Sequence, residues 1–205
     1  MNKENKIKAI IFDFGGVFTK GGKMDPFYDY LTSKYGKEAG NDFFAHTIEI
    51  WDKARVGKIS SNLFWDFIGK HYGVGAEEIM RESFNFFESE KSVTDFVKQE
   101  LKGKYKLGMI TNNIQDWFEH NIAEHDLENV FDEIVTSYET GLKKPDREIY
   151  DFTIKKLGVL PQECIFIDDR DNNVMGAKNA GMEAILFKNL LQLKRDLKKF
   201  GINIY

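Results

Sequence analysis

The chain has 205 residues, with 29 Lys and Arg against 33 Asp and Glu and a net charge of −4, so no basic surplus points to nucleic acid as a partner. That length supports one well-buried domain, or one domain with a small insert, and 42% hydrophobic with 30% charged residues is the composition of a soluble globular protein. A single cysteine, Cys164, excludes an internal disulfide and a structural zinc cluster and fits a reducing, cytoplasmic setting.

The first six residues, Met1 to Lys6, are polar and mixed in charge. The apolar stretch Ile7 to Phe18 is broken by Lys8 and Asp13 and makes a poor signal peptide. No run approaches the roughly 20 apolar residues that span a bilayer, so no membrane partner is expected. Lys6 to Phe14 reads as a buried parallel strand that ends in a carboxylate and Gly15-Gly16. Three similar runs follow: Tyr105 to Ile110, Glu163 to Ile167 and Glu183 to Phe187, with a weaker one at Glu133 to Thr136. Helical patterns separate them at Gln115 to His125, Glu148 to Leu157 and Asn173 to Ala180. This alternation predicts an α/β fold, a Rossmann-like doubly wound parallel sheet between two helical layers.

The stretch Gly21 to Glu88 breaks the alternation. Its 68 residues show no convincing strand, whereas a crossover needs only about a dozen. Three amphipathic faces are predicted: Phe44, Thr47, Ile48 and Trp51; Phe64, Phe67, Ile68 and His71, with Ser60 or Ser61 as N-cap; and Ile79, Ser83, Phe84 and Phe87. The expected division is an α/β core over 1–20 and 89–205 and an inserted all-helical cap over 21–88. A helix over Ser92 to Lys102 returns the chain to the sheet. The cap holds 14 aromatic residues. So small a unit needs rings that bury much area each, and an aromatic pocket or self-association face is the alternative. Monomer or homodimer stays open.

The strand ends carry the chemistry. Asp13, Thr111, Asp168 and Asp169 each follow or close an apolar run, and ligands of open α/β sheets bind outside the carboxyl ends of the strands. Three converging carboxylates repel each other unless a cation is bound, and an all-oxygen set with open positions suits Mg²⁺. Lys144 follows the weak strand and can bring a positive charge to the same edge, with Lys143 as its rival. The bland readings are a turn-capping Asp13, a helix-capping Thr111, a solvated Lys144 and loop carboxylates at 168 and 169. The four histidines show no ligand spacing and read as packing or surface residues, and Cys164 reads as core.

Asp13-Phe14-Gly15-Gly16-Val17, Thr111-Asn112, Lys144-Pro145-Asp146 and Asp168-Asp169 through Ala177 resemble, in order, the four motifs of the haloacid dehalogenase-like hydrolase superfamily. The insert lies where that family carries a helical cap. The resemblance implies a phosphatase of a small phosphorylated metabolite, with Asp13 as nucleophile of an aspartyl-phosphate intermediate. It implies Mg²⁺ held by Asp13, the Gly15 carbonyl and Asp169, with Asp168 as a further ligand. Thr111 and the Asn112 amide then bind phosphoryl oxygens, Lys144 neutralises the phosphate, and Asn173 braces the loop. In the cap, Arg55 and Lys58 can grip an anionic group, and Gly57 permits a tight turn.

One position departs from the commonest phosphatase pattern. Gly15 stands where a second Asp serves as general acid and base, a role worth about 10²–10⁴ in rate. The Asp-x-Gly-Gly-Val form recurs in a branch that includes sugar-phosphate phosphatases. Two alternatives follow: a metal-free dehalogenase, against which the adjacent Asp168 and Asp169 argue, and a non-catalytic binding or regulatory module that kept the metal site.

Overall fold

A computed structural model describes residues 6–20, 25–37, 40–86 and 88–204. Five parallel strands form its sheet: β1 (Ala9–Phe12), β4 (Lys106–Thr111), β5 (Glu133–Thr136), β6 (Cys164–Asp168) and β7 (Glu183–Leu186). Their spatial order is β5-β4-β1-β6-β7, so β1 lies at the centre and the chain builds outward on one side, then crosses to the other. That reversal opens a crevice at the carboxyl ends of β1, β4 and β6.

The strands are apolar along their length because both faces are covered. Ile10 and Phe12 of β1 join Met109 and Ile167 in a cluster on one face, while Ala9 and Ile11 join Ile110 and Phe166 on the other. The first face is covered by α5 (Lys91–Phe96), α6 (Gln115–Glu124) and α10 (Leu190–Lys199). The second is covered by α8 (Arg147–Leu157) and α9 (Asp171–Asn179). A short helix, α7 (Ser137–Thr140), follows β5. The returning helix starts one residue earlier than expected, and its second half, Val97–Leu101, widens into a π-helical turn. Cys164 is fully buried in the second face.

Between β1 and α5 the chain leaves the sheet through β2 (Thr19–Lys20) and returns through β3 (Glu88–Ser89), which pair antiparallel. The sequence shows no strand signal at Glu88, because two residues carry no period. Among the described residues, four helices fill the excursion: α1 (Asp25–Tyr35), α2 (Asn41–Ala54), α3 (Ser61–Tyr72) and α4 (Ala76–Phe84). Ser60 caps α3, its hydroxyl accepting from the Asn62 amide at 3.2 Å. Gly73 ends α3 in the left-handed conformation.

The faces of these helices are broader than expected. On α3, Phe64 and Ile68 are buried, but Trp65 and Tyr72 are buried with them, while Phe67 and His71 stay half-buried. On α4, Ile79 and Ser83 are buried and Phe84 stacks on His120 of α6, with centroids 3.8 Å apart. Phe87 lies outside the described residues. On α2, Thr47 is buried, Phe44 and Trp51 are half-buried and Ile48 is 63% exposed. Among the described residues, the helical segment has no core of its own. Phe27, Leu31, Phe64, Trp65 and Ile79 belong to the same cluster as Phe14 and Phe18 beside the sheet.

A polar clasp adds to that contact. Asp116 of α6 accepts from the Ser61 hydroxyl at 2.6 Å and the Trp65 indole at 3.2 Å through one oxygen, Oδ2. Trp65 is fully buried, so losing the acceptor strands its N–H. Asp116→Ala is expected to destabilise the protein by about 2–3 kcal/mol in urea unfolding, and an unchanged midpoint would mean that apolar contact alone seats α3. Among the described residues, no helix is long and apolar enough to cross a membrane.

Candidate active site

The register brings the strand ends level. Phe12 of β1 lies beside Met109 of β4 and Ile167 of β6, and the Asp13 amide donates to the Ile167 carbonyl at 2.8 Å. Asp13, Thr111 and Asp168 therefore reach the same crevice from three adjacent strands. Asp13 and Thr111 line a cavity of about 480 Å³ together with Gly15, Asn112, Lys144 and Asp169. Asp168 is fully buried beneath them.

Lys144 sits between two of the carboxylates. Its Nζ lies 2.7 Å from Asp13 Oδ1 and 2.8 Å from Asp168 Oδ2, and the residue is 3% exposed. A solvated lysine is therefore not what the structure shows, while Lys143 is half-buried at the cavity wall. The backbone of Lys144 is fixed by a side chain: the Asn112 amide nitrogen donates to the Lys144 carbonyl at 2.8 Å, and the Lys144 amide donates to Asn112 Oδ1 at 2.9 Å. Sequence reasoning missed this reciprocal pair, which joins residues 32 apart. Thr111 is 1% exposed and does not cap α6; that position falls on Ile114.

Asp168 is saturated. Its oxygens accept from Lys144, from Asn173 Nδ2 at 3.0 Å each and from the Arg170 amide at 2.9 Å. Asn173 in turn is held by Tyr150, whose hydroxyl donates to its carbonyl at 2.8 Å. Asp13 is less enclosed. Its Oδ1 accepts from Lys144 and, at 2.6 Å, from the Phe14 amide. Gly16 has φ +75° and faces Asp169 so closely that a Cβ there would collide with the carboxylate.

Asp13, Asp168 and Asp169 each offer an oxygen within 4.8 Å of the other two. One ammonium, that of Lys144, bridges only Asp13 and Asp168. Burial pushes the Asp13 carboxyl up to about 7; Lys144 opposes this, while Asp168 and Asp169 add to it. Burial and Asp168 likewise raise Asp169. Burial works against the charge of Lys144, but Asp13 and Asp168 outweigh it and hold the ammonium above its ordinary range. The excess negative charge and the all-oxygen donor set fit a hard divalent cation such as Mg²⁺.

The raised Asp13 gives a pH signature to the metal-free protein. Between about 4 and about 7 the folded state holds a proton that the unfolded state has released. The Asp13 contribution to stability is therefore largest at low pH and is lost as pH rises through about 7. In EDTA, the urea midpoint of the native chain is expected to fall relative to that of Asp13→Asn between pH 5 and 8. A constant difference would contradict the shift.

The helical segment closes the cavity from above with Tyr28, Phe44, Ile48, Trp51, Arg55 and Phe64. Arg55 thus reaches the site. Its Nη2 pairs with Asp52 at 2.6 Å, and its Nε is buried without a hydrogen-bond partner among the described residues. Lys58 is exposed and does not line the cavity. The loop carrying both is held down where Ser137 donates to the Arg55 carbonyl. Beside it, Gly57, at φ +68°, approaches the Tyr138 carbonyl too closely for any side chain.

Residues 7–181 match the family model described as haloacid dehalogenase-like hydrolase. The chain is 29% identical over 197 residues to the sesquiterpene phosphatase astK of Aspergillus oryzae, covering 94% of this chain and 95% of that protein. It is 28% identical over 212 residues to the D-ribitol-5-phosphate phosphatase of Bacteroides thetaiotaomicron, covering 93% and 97%. Another curated relative is matched over only 29% of its length. In fold, the chain resembles a haloacid dehalogenase family enzyme of Bacteroides thetaiotaomicron crystallised with magnesium and inorganic phosphate. The TM-score is 0.75 at 21% identity, over 91% of this chain and 98% of that one.

Proposed function

The chain belongs to the haloacid dehalogenase-like hydrolases, and on that premise we propose that it is a Mg²⁺-dependent phosphatase of a small phosphorylated metabolite, acting through an aspartyl-phosphate on Asp13. The observation that carries this reading is the Lys144 ammonium, 2.7 Å from Asp13 on the floor of the cavity with Asp169 beside it. That the relatives cleave phosphate esters of different alcohols, a sesquiterpene and a ribitol, supports the chemistry and leaves the alcohol open.

In this reading Asp13 Oδ1 stays with Lys144 and the Phe14 amide, and Oδ2 attacks phosphorus. The Oδ2–P bond forms as the ester P–O bond breaks, and the departing alkoxide takes its proton from water, since Gly15 has none to give. Water then attacks the same phosphorus, frees inorganic phosphate and restores the carboxylate. Lys144, Thr111 and the Asn112 amide steady the phosphoryl oxygens as their charge redistributes. Asp13, Asp169 and the Gly15 carbonyl would hold the cation. Asp168 has both oxygens occupied by protein donors, and its role is to fix Lys144 and the loop. Bound there, the cation supplies positive charge that screens carboxylate from phosphate. The helices over 21–88 act as the cap that keeps water from the transferring group. The lone buried thiol suits a cytoplasmic setting.

A dehalogenase is disfavoured because Asp169, which lines the cavity, would face a departing halide. A non-catalytic module rests on Gly15 alone. Phosphate release from acetyl phosphate and p-nitrophenyl phosphate separates the three. Turnover with Mg²⁺ that stops in EDTA is expected. Turnover that persists in EDTA, or chloride release from 2-chloropropionate, would overturn the reading, and beryllofluoride binding without turnover would favour the module.

A further inference from the structure

The cavity has two chemically different ends. Its floor is ionic: Asp13, Lys144 and Asp169 lie there with Thr111. Its roof, from α1, α2 and α3, is lined by Tyr28, Phe44, Ile48, Trp51 and Phe64. Trp51 meets Phe64 edge-on with centroids 5.2 Å apart, and Tyr28 meets Phe44 at 5.3 Å. These pairs set the ring positions before a ligand arrives. Ile48 lines the cavity yet is 63% exposed, a large aliphatic side chain kept at the mouth.

Two polar side chains of the roof are engaged in part; the Arg55 Nε is buried without a hydrogen-bond partner among the described residues. The Thr47 hydroxyl donates to the Phe43 carbonyl of its own helix at 2.8 Å, and Arg55 pairs with Asp52. A polyhydroxylated group pressed here would leave water and find few new partners, and buried hydroxyls without partners are costly. An apolar group needs no such partners and gains contact with the rings. The volume matches a drug-sized organic moiety rather than phosphate alone.

Resting on the phosphatase reading, we propose that the substrate is a phosphomonoester of an apolar alcohol, its phosphate on Asp13 and its carbon part against the roof formed by Phe44, Ile48, Trp51 and Phe64. Isoprenoid and aromatic alcohols share this chemistry.

The test compares decyl phosphate with ribitol 5-phosphate, both primary alkyl esters whose intrinsic reactivity is alike. Farnesyl phosphate and naphthylmethyl phosphate serve as the isoprenoid and aromatic arms. With Mg²⁺, kcat/KM for decyl phosphate is expected to exceed that for ribitol 5-phosphate by at least ~30-fold. The better of the other two arms identifies the source. Ile48→Asp, at a largely exposed position that leaves folding intact, is expected to cut the decyl-to-ribitol ratio by at least ~5-fold, and Trp51→Ala by more. Equal or better turnover of ribitol 5-phosphate would overturn the proposal. If no phosphate ester is turned over, the phosphatase reading fails instead. Calorimetry of decylphosphonate against methylphosphonate then still decides the roof: tighter decyl binding upholds it, and equal binding overturns it.

Discussion

Asp13→Asn is expected to lower turnover of every phosphate ester by about 10⁴-fold or more while leaving the metal-free protein no less stable. The amide keeps the shape of the carboxylate and one oxygen for Lys144 and the Phe14 amide, both of which now contact Oδ1. It cannot form the covalent intermediate. The carboxylate it replaces is buried and already resists ionisation, with its pKa pushed up to about 7, so removing the charge relieves a strain near neutral pH. Lys144 retains Asp168 as its partner. Steady-state rates and a urea titration in EDTA, run on the same preparation, check both halves. Retained turnover above about 1% would remove Asp13 from the nucleophile's role. Lost activity with a lowered midpoint would recast it as structural.

Lys144→Met is expected to be damaging in both respects. The residue is 3% exposed and bridges two carboxylates at 2.7 and 2.8 Å. Its removal leaves Asp13 and Asp168 facing each other with Asp169 nearby, and uncompensated buried charge costs about 3–5 kcal/mol. The loss should shrink at pH 5, where the unpaired carboxylates take up protons and the repulsion fades. Catalysis should fall by about 10²–10³, the range found when one preorganised donor to a developing charge is removed. Lys143→Met is the control, since that side chain is half-buried at the wall and pairs with neither carboxylate. Its effect on stability should stay within about 0.5 kcal/mol. Chemical denaturation of the two variants at pH 5 and 8 measures this, and equal effects would deny Lys144 its bridging role.

Much of the fold was legible because it depends on short-range pattern. The runs Ala9 to Phe12, Leu107 to Ile110 and Cys164 to Ile167 are uninterrupted by polar residues, the pattern of strands buried on both faces. Their polar ends had to meet, because parallel strands present the same end to the same edge. The interruption over 21–88 was legible as helical from its period. Its boundary strands were not, because a two-residue pairing at Thr19–Lys20 and Glu88–Ser89 leaves no period to read.

What the sequence determined by itself was the identity of the charged groups, the strand ends that carry them and the presence of a helical segment rich in rings. Only the tertiary structure decided how those groups share their charge. Lys144 and not Lys143 turns inward because Asn112 grips its backbone from 32 residues away. Asp168 is consumed by Asn173 and the Arg170 amide, whereas Asp169 faces the cavity. Arg55 lines the site and Lys58 does not, although only two residues lie between them. The aromatic excess divides in the same way: Trp65 is sealed into the interior beside Asp116, while Trp51 borders the cavity. Sequence period assigns a ring to a helix face, but which body meets that face is set by contacts between distant segments, and no local pattern encodes those.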